Sequence, residues 1–535
     1  MNEKWVVDAI HSLQEVSTEA GEYTEVRILP TPHAKSHLPG GDDALPLASE
    51  TAAGLVKIGE GLTISEDGTL SSEGGGGAAY FTITVTQSAG GVTNPSGEVR
   101  VAPYSDKVIT LEAADGYYLK DVLVDGSSVG RTKTYTFESI DADHTITPVF
   151  EKILVYGYTV NWATSSPTGC ISYTDSSLSL TQEGRKTKTY SWVKPTVVSE
   201  GEIAYDLDRT NLAKKADGTA SILDGTDGDV CASFQKLWFR FEPQSNGVYT
   251  RIVEHPMAGF MSVHQFNGII REWLHIGMFE ATGTTVNSVY STTLKPTVSQ
   301  SMATFRSQAQ TKNAGLDEAL YGLETFLTWT MYQTLFIHAY GTTNSQAAIG
   351  AGISEYAWND GVYPTVPCTA AMLTSGGELI ATNGTSPNMA LFVANPFGSV
   401  WEFRDGCMWS DGSFALATDQ ADIYNIENGW SKKPTTWHLA ASGCATNWSS
   451  SYITAGCNDA YAPYFPKTAG SGSSTTYACD AAWSATGDRV CLVGGCWGDA
   501  AVCGVFALAV NGAVGGSRAD LGARLQVLDK NPATL

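Results

Sequence analysis

The side chains best suited to metal binding or nucleophilic chemistry are ten cysteines and nine histidines, spread over a chain of 535 residues. No two cysteines form a Cys-x-x-Cys pair, so the pattern disfavours a zinc site or a thioredoxin-type redox motif. His255, His264 and His275 share one stretch, but their spacing matches no metal motif. The chain also shows no Ser-His-Asp order and no paired carboxylates in a catalytic context. These patterns predict that the chain is not an enzyme.

One acidic loop has the composition of a cation-binding turn. Asp224, Asp227 and Asp229 alternate with glycines, and calcium prefers several carboxylate and carbonyl oxygens. Because the downstream glutamate of an EF-hand is missing, a tight turn is the favoured interpretation and a calcium site is the alternative. We expect no other cofactor.

Composition excludes several classes of protein. With 55 acidic and 32 basic residues, the chain carries a formal net charge of -23, whereas a phosphate-binding surface needs clustered Lys and Arg. Nucleic-acid binding is therefore disfavoured. Charged residues make up only 16% and hydrophobic residues 43%, which argues against an acidic disordered chain. The 55 glycines, 23 tyrosines and 14 tryptophans favour a β-rich and loop-rich protein.

The sequence contains no uncharged apolar run long enough to span a membrane, and its start does not match a signal peptide. We therefore expect synthesis in a reducing cytoplasm and no membrane insertion. The cysteines are expected to be buried thiols, and a few bridges formed after release are the alternative.

The first two predicted segments are residues 1–50, for attachment and oligomerisation, and residues 51–78, a short β repeat with a linker. Residues 1–50 have too few apolar positions to build a core. Residues 52–73 read as short strands joined by turns, and Gly74–Gly77 is a flexible joint. The stretches His37–Leu45 and Gly61–Leu70 resemble pieces of bacteriophage tail-fibre and tail-collar proteins, which implies a homotrimer.

The third predicted segment, residues 79–152, alternates apolar and polar residues as β-strands do, for example at Phe81, Ile83 and Val85. Asp115-Gly116 and Asp125-Gly126 are hairpin turn sequences. The stretch Ala114–Gly126 resembles a bacterial surface repeat with an immunoglobulin-like β-sandwich. That resemblance implies a passive spacer.

The fourth predicted segment, residues 153–535, is the largest and contains two predicted helices. Strands are predicted at Tyr156–Val160 and Phe234–Phe241, and one helix near Ser301–Lys312. The other helix is predicted to begin after Asp317 and to end at Gly341, a typical C-cap. Since it is apolar on more than one face, we expect it to be buried, with His338 as a hydrogen-bonded core histidine.

Three ordered stretches of this last segment carry a resemblance: residues 340–346, residues 395–406 and residues 487–497 with their continuation to 525. The second resembles the Gly-Asn-Val-Trp-Glu-Trp signature of the formylglycine-generating-enzyme-like branch of the C-type lectin fold. The third resembles that branch's Arg-Val-x-Arg-Gly-Gly-Ser-Trp signature and its terminal Gly-x-Arg-Leu. The resemblance implies an α+β domain with two helices, small mixed sheets and long loops held by buried tryptophans.

Within that branch, the chain resembles the tail-associated variable proteins of diversity-generating retroelements. Those systems mutate template adenines, chiefly in Asn codons, which rarely yields Lys, Glu, Gln, Met or Trp. Between Cys479 and Arg524 the chain contains no Lys, Glu, Gln or Met, and its two tryptophans, Trp483 and Trp497, are at implied scaffold positions. A variable region at about 478–524 is therefore implied, although a core segment of small residues would share part of this composition.

The resemblance also implies which positions stay fixed and which vary, with a purely structural role as the alternative for each. The implied scaffold positions are Trp401, Trp483, Arg489, Gly494, Gly495, Trp497, Gly504, Phe506, Ser517, Gly522, Arg524 and Leu525. The positions assigned to an exposed binding face are Ala481, Ala482, Cys496, Asp499, Val502, Ala507, Ala509 and Asn511.

Together these features predict a phage or prophage tail-fibre receptor-binding protein, made in the host cytoplasm and located in the virion. The expected partners are a bacterial surface receptor, protein or glycan, the phage tail or baseplate, and other copies of the chain. One alternative is a bacterial surface adhesin with the same domain. Another is a copper oxidase of the formylglycine-generating type. The family's catalytic cysteine spacing is not recovered, because Cys496 replaces the Ser of the Gly-Gly-Ser-Trp motif and only Cys503 lies nearby.

Overall fold

The computed structural model describes residues 80–356, 368–420 and 437–533, together with the backbone of two short strands at 62–64 and 70–72. The chain divides into two compact units. One holds most residues up to Pro148, and the other holds Val149–Leu535 with Ala89–Val92 and Ala113–Lys120. The predicted segment 1–50 and the Gly74–Gly77 joint lie outside the described residues. Within the described ranges, no helix is long and apolar enough to cross a membrane.

Ten short strands precede residue 153 within the part of the chain that the structure describes. They are β1 (Leu62–Ile64), β2 (Leu70–Ser72), β3 (Phe81–Val85), β4 (Gly91–Asn94), β5 (Gly97–Val101), β6 (Lys107–Ala113), β7 (Tyr117–Val124), β8 (Ser127–Ser128), β9 (Thr134–Phe137) and β10 (His144–Lys152). Strands β1 and β2 pair with each other, and the others form a five-stranded sheet, β5-β3-β10-β7-β8, and a three-stranded sheet, β4-β6-β9.

The predicted period-two pattern of this region is confirmed. In β3, Ile83 and Val85 are buried and Thr84 between them is exposed. The turn between β7 and β8 has positive φ at both Asp125 and Gly126, which a two-residue hairpin of this type requires. Residues 80–152 are therefore all β, as their sequence predicts.

The larger unit contains twenty-four strands within the described residues. They are β11 (Tyr156–Asn161), β12 (Ile171–Thr174), β13 (Val193–Ser199), β14 (Glu202–Asp208), β15 (Asn211–Lys215), β16 (Asp229–Gln235), β17 (Trp238–Gln244), β18 (Gly247–Val253), β19 (Gln265–Phe266), β20 (Ile269–Ile270), β21 (Trp273–Gly277), β22 (Tyr321–Leu323), β23 (Met389–Ala390), β24 (Val393–Ala394), β25 (Trp401–Ser410), β26 (Ser413–Leu416), β27 (His438–Ala441), β28 (Ser451–Gly456), β29 (Pro466–Gly470), β30 (Ala481–Ser484), β31 (Asp488–Gly494), β32 (Gly504–Val510), β33 (Leu521–Gly522) and β34 (Leu525–Leu528).

These strands form three main sheets. A four-stranded sheet has the order β12-β11-β18-β17, and a seven-stranded sheet has the order β15-β14-β13-β16-β21-β34-β22. The largest sheet has the order β27-β26-β25-β31-β32-β30-β28-β29, with β33 parallel to β25. Strand β34 returns between β21 and β22, and all four of its residues are buried, so this strand is part of the core of the unit.

Few helices accompany these sheets. The described ones are Asp175–Leu178, Gln182–Ser191, Met302–Gln310, Phe326–Tyr340, Ser345–Ile349 and Ala370–Leu373, with short 3-10 turns at Thr311–Asn313 and Ala500–Val502. The Met302–Gln310 helix matches the prediction, and the Ser301 hydroxyl caps it by accepting the Thr304 N–H at 3.2 Å.

The predicted helix ending at Gly341 begins later than expected. Residues Tyr321–Leu323 form β22 on β34, and the helix starts at Phe326 after the Thr325 N-cap. Gly341 ends it in the left-handed conformation, as predicted. Every residue of this helix except Tyr340 is buried. His338 is confirmed as a core histidine, since its ring nitrogens are hydrogen-bonded to Ser177 at 2.8 Å and Thr189 at 2.7 Å.

The strand predicted at Phe234–Phe241 requires a correction. The structure has two strands, β16 and β17, which end and begin on either side of Lys236-Leu237. The chain turns there because β16 pairs with β21 in the seven-stranded sheet, whereas β17 pairs with β18 in another.

Candidate functional site

A buried ion pair joins the second and third sequence motifs. Arg524 is fully buried, and its guanidinium contacts Glu402 at 2.6 Å. The same guanidinium donates to four backbone carbonyls, those of Gly277, Met278, Ala394 and Asn395. A buried charge needs this degree of compensation. Arg524 thus connects the terminal Gly-x-Arg-Leu stretch to the Trp-Glu stretch of β25.

Further charges surround this pair. Arg404 contacts Glu402 at 2.8 Å and Glu324 at 3.1 Å, and its guanidinium lies over the Trp329 ring at 4.4 Å. Although burial alone would raise the pKa of Glu402, Arg524 and Arg404 hold that pKa below its usual value. The result is a buried cluster of compensated charges, formed by Arg524, Arg404, Glu402 and Glu324, which supports the third motif and which we call the floor.

Glu280 lies at the margin of this cluster and is almost completely buried. The Asn395 side chain donates to its carboxyl group at 3.2 Å. Burial, reinforced by the nearby Glu402, raises the pKa of Glu280 to about 7. This carboxyl group therefore holds its proton more tightly than an exposed glutamate does.

Two glycines turn the chain at the end of β31. Gly494 and Gly495 both have positive φ, at 91° and 84°, which favours glycine over other residues. A Cβ on Gly495 would lie 2.6 Å from the Cys503 sulfur. Because these residues have no side chain, the chain can approach itself closely here, which brings the two ends of the segment 496–503 together.

The segment 496–503 is a loop that is fixed from within. The Asp499 carboxylate accepts the Cys496 N–H at 2.9 Å and is also hydrogen-bonded to the Trp401 side chain. The Gln346 side chain donates to the carbonyls of Ala500 at 2.9 Å and Cys503 at 2.8 Å. Burial raises the pKa of Asp499. Asp499 therefore anchors the loop, whereas Ala501 at its tip is exposed.

Two neighbouring loops continue the surface of this loop. Ala500 donates its N–H to the Ser354 carbonyl, and Tyr356 donates its N–H to the Trp497 carbonyl, both at 2.8 Å. Ser354 in turn donates to the Gly384 carbonyl at 2.9 Å. We call residues 354–356, 382–386 and 498–502 the three-loop surface. Its exposed residues are Glu355, Tyr356, Thr382, Asn383, Thr385 and Ala501.

Five positions assigned to an exposed binding face are buried, and this corrects the prediction of exposure. They are Ala481, Ala482, Cys496, Ala507 and Ala509. The physical reason is their place in the sheet. Strands β30 and β32 each have a hydrogen-bonded neighbour on both sides, and all seven residues of β32 are buried, so both of its faces are covered.

The other three assigned positions are not brought together. Asp499 and Val502 are partly exposed on the three-loop surface, whereas Asn511 is exposed at the far end of β32. Seven residues of strand separate Asn511 from Cys503, a span of roughly 23 Å. A ligand-binding role remains a prediction for Asp499 and Val502, and Asn511 belongs to another surface.

Most of the implied scaffold positions are buried. Those that are buried are Trp401, Gly494, Gly495, Trp497, Gly504, Phe506, Gly522, Arg524 and Leu525. Trp483 is partly exposed and packs edge-on against Trp401 at 5.2 Å between ring centroids. Arg489 is also partly exposed, and Ser517 is fully exposed. The buried members hold the three loops in place, and their conservation as fixed positions remains a prediction.

The side chains considered for metal binding have other partners. Asp229 contacts Lys312 at 2.5 Å, Asp227 accepts the Tyr205 hydroxyl at 3.0 Å, and Asp224 accepts the Thr226 N–H at 3.0 Å. Among the described residues, no group of three or more His, Cys, Asp or Glu side chains is placed to hold a metal ion. The calcium alternative at these three aspartates is therefore not supported by their geometry.

The two cysteines considered for copper lie close together in the interior. Cys496 and Cys503 are completely buried, and burial raises the pKa of both thiols. The Cys503 thiol donates to the Cys496 carbonyl at 3.2 Å. The copper alternative at these two residues stays a prediction.

The residues that flank the loop 496–503 were not predicted from the sequence. Tyr356, Asn383 and Thr385 lie far from residues 478–524 in sequence and carry no motif of the resemblance. The turn Asn383-Gly384-Thr385 offered a local signal, because Asn383 caps it by accepting the Thr385 N–H at 3.0 Å. Only the pairing of loops in space shows that this turn adjoins residue 500.

No protein-family model matches the chain, and no curated protein matches it. Among solved structures, the chain is similar to one titled "Major Tropism Determinant U1 Variant", with 13% sequence identity. The alignment covers 87% of this chain and 93% of that chain, at a TM-score of 0.19. A TM-score this low does not establish a shared fold, so the residues of this chain must support any functional conclusion.

Proposed function

We propose that this chain is a tail-fibre receptor-binding protein of a phage or prophage, and a binding protein rather than an enzyme. In this proposal the larger unit adopts the C-type-lectin-like fold of the formylglycine-generating-enzyme type. It binds a bacterial surface ligand, protein or glycan, through the three-loop surface. The earlier segments attach the chain to the tail, trimerise it and act as a spacer.

One observation carries this proposal: the three motif stretches meet at the base of a single loop. Gln346, at the end of the first stretch, holds the Ala500 and Cys503 carbonyls. Ser399, in the second stretch, accepts the Trp497 N–H at 3.1 Å. The first two stretches, which lie far apart in sequence, thus both hold residues 496–503 of the third. A binding loop held by a rigid scaffold is the arrangement that recognition requires.

The chemistry of the three-loop surface suits a polar ligand. Exposed groups on it are the Glu355 carboxylate, the Tyr356 ring, the Asn383 amide and the Thr385 hydroxyl. An aromatic ring beside amide and hydroxyl groups is a common setting for polar recognition. Because single sites of this size bind weakly, several copies on one particle would raise the avidity.

The test is binding of the fluorescently labelled full chain to whole bacterial cells of a broad strain panel. We expect staining of at least one strain, and a loss of at least tenfold for Ala501→Arg. The matched control is Ala519→Arg, at an exposed alanine outside the three-loop surface. Equal staining by both variants, or staining of no strain, would refute the proposal.

Protease-treated and periodate-treated cells distinguish a protein from a glycan receptor. Sedimentation of the full chain tests the trimer.

The retroelement part of the proposal has a separate genomic test. We expect a near-copy of the codons for residues 478–524 beside a reverse transcriptase gene, differing only at adenines. Absence of such a copy from the source genome would remove diversification and leave the receptor-binding proposal standing.

A further inference from the structure

The largest sheet curls until its two edges touch. In the strand order, β26 and β27 lie at one edge and β28 and β29 at the other. Nevertheless, the Phe414 ring of β26 stacks on Phe465, which immediately precedes β29, with centroids 3.9 Å apart and planes at 14°. The two edges are therefore in direct contact through aromatic packing.

Two cysteines face each other across this junction. Cys444 follows β27, and its N–H donates to the Gly412 carbonyl at 3.0 Å. Cys457 follows β28, and its N–H donates to the Phe465 carbonyl at 2.7 Å. The Pro466 carbonyl lies 4.0 Å from the Cys444 sulfur and 3.8 Å from the Cys457 sulfur. Both sulfurs thus approach one oxygen, and the two thiols are hydrogen-bonded to each other.

We propose that Cys444 and Cys457 are a redox modification site: oxidation by a small-molecule disulfide joins them in a reversible bridge across the two edges of the sheet. The inference is independent of the proposed receptor. It stands on the proximity of the two side chains and on the partial exposure of Cys457, whereas the neighbouring Cys444 is 7% exposed.

The environment of Cys444 favours the first step. A hydrogen bond from Cys457, with a contribution from the positive charge of Lys467, lowers the pKa of Cys444 to about 7. The Cys444 thiolate attacks one sulfur of the oxidant, forms a mixed disulfide and releases one thiolate. The hydrogen bond to Cys444 and burial raise the pKa of Cys457 in the reduced pair. Once Cys444 is in the mixed disulfide, the Cys457 thiol loses its proton to solvent, attacks the Cys444 sulfur and releases the second thiolate. Overall, two protein thiols are oxidised and one disulfide molecule is reduced to two thiols.

A second thiol pair in the same sheet provides a matched comparison. Cys407 in β25 and Cys491 in β31 are also hydrogen-bonded to each other. Both are completely buried, and burial raises the pKa of Cys407. Proximity alone would make both pairs react, whereas the proposal requires reaction at the accessible pair only.

The bridge would constrain the scaffold of the three-loop surface. Strands β31 and β32, which carry the loop 496–503, lie between the two edges that the bridge joins. A bond between residues 444 and 457 would close a loop and so reduce the conformational entropy of the unfolded chain. We therefore expect the oxidised chain to unfold at a higher temperature, by several degrees, with the shift reversed by a reductant.

The experiment uses the full chain, purified under reducing conditions and then incubated with oxidised glutathione. Peptide mapping without reduction is expected to show one cross-link, between the Cys444 and Cys457 peptides. Cys457→Ser should instead carry glutathione on Cys444, and Cys407→Ser should form the same cross-link as the unchanged chain. Ten free thiols after incubation, or a Cys407–Cys491 cross-link in the folded chain, would overturn the proposal. The peptide map of the unchanged chain decides this even where a variant fails to fold.

Discussion

The strands and the loop of one segment, residues 478–524, lie in opposite environments. All seven residues of β32 are buried, whereas Ala501, three residues before that strand, is exposed. Both parts are rich in Ala, Val, Gly and Cys. A composition of small residues therefore suits a sheet covered on both faces as well as a diversified surface. Position relative to the sheet, and not residue type, decides which of these roles a side chain has.

The difference also has an energetic basis. The floor beneath the loop contains buried charges whose partners are supplied by three distant stretches of the chain, so the loss of one partner leaves another charge unpaired. The loop is held by the Asp499 carboxylate and by its backbone carbonyls, which accept from Gln346, so the Ala501 side chain at its tip makes none of these contacts. Substitutions should therefore be costly in the floor and tolerated at the loop tip.

The largest effect is expected at Arg524. Arg524→Met leaves Glu402 buried without its main cation and removes hydrogen bonds from four carbonyls. We expect the free energy of unfolding to fall by about 3–5 kcal/mol, the usual cost of breaking a buried pair. Urea denaturation followed by circular dichroism measures this loss.

The control for this prediction is Arg518→Met. Arg518 pairs with Asp520 at 2.8 Å, but its side chain is 56% exposed. Asp520 is 7% exposed, but Arg518 faces solvent, so we expect a smaller loss than at the fully buried Arg524. Equal losses for the two variants would show that the Arg524 cluster is not a special feature of the floor.

The next effect is expected in β32. Ala507 is 1% exposed, and Ala507→Asn would bury an amide group in a strand covered on both faces. Overpacking and an unpaired polar group together predict a loss of about 2–4 kcal/mol. Urea denaturation measures the loss. A change of less than about 0.5 kcal/mol would mean that this strand tolerates variation, and the distinction between strand and loop would fail.

Sequence reasoning was effective where periodicity or a cap determines structure. The alternation of Ile83 and Val85, the Ser301 cap and the Gly341 end of the buried helix could all be predicted, because each depends on neighbouring residues. The start of that helix was mispredicted, because Tyr321–Leu323 pairs with β34 two hundred residues later. Local patterns contain no information about such a partner.

The candidate site also depends on contacts between residues far apart in sequence, which local patterns do not predict. Composition led to the prediction that Ala507 and Ala509 are exposed, whereas both are buried. A continuous apolar run without alternation, as in Gly504–Val510, is typical of a strand buried on both faces. That signal was present and points to the observed environment. The neighbouring loops at Tyr356 and Asn383 could not be found without the tertiary structure.

A smaller and pH-dependent effect is expected at Glu280. Its pKa is raised from 4.5 to about 7, so the folded chain binds this proton more tightly than the unfolded chain does. The free energy of unfolding should therefore decrease as the pH rises through this interval and stay low above it. Glu280→Gln, which carries no charge, removes this contribution and should stabilise the chain at about pH 8 by about 2–3 kcal/mol.

Thermal unfolding of the two proteins at several pH values checks this prediction. At about pH 5 the unchanged chain and Glu280→Gln should unfold at similar temperatures, because Glu280 is then mostly protonated in the folded state. Curves that differ equally at every pH would instead assign the effect to packing, and the charge of Glu280 would have no part in the stability of the floor.

The smallest effect on stability is expected at the loop tip. Ala501→Asn places the same amide group as Ala507→Asn, six residues earlier, on a side chain that is exposed. We expect the free energy of unfolding to change by less than about 0.5 kcal/mol, measured by the same urea denaturation. A loss approaching that of Ala507→Asn would mean that the loop is as constrained as the strand. In that case substitutions at the loop tip would destabilise the fold, and the loop could not recognise different ligands by changing its side chains.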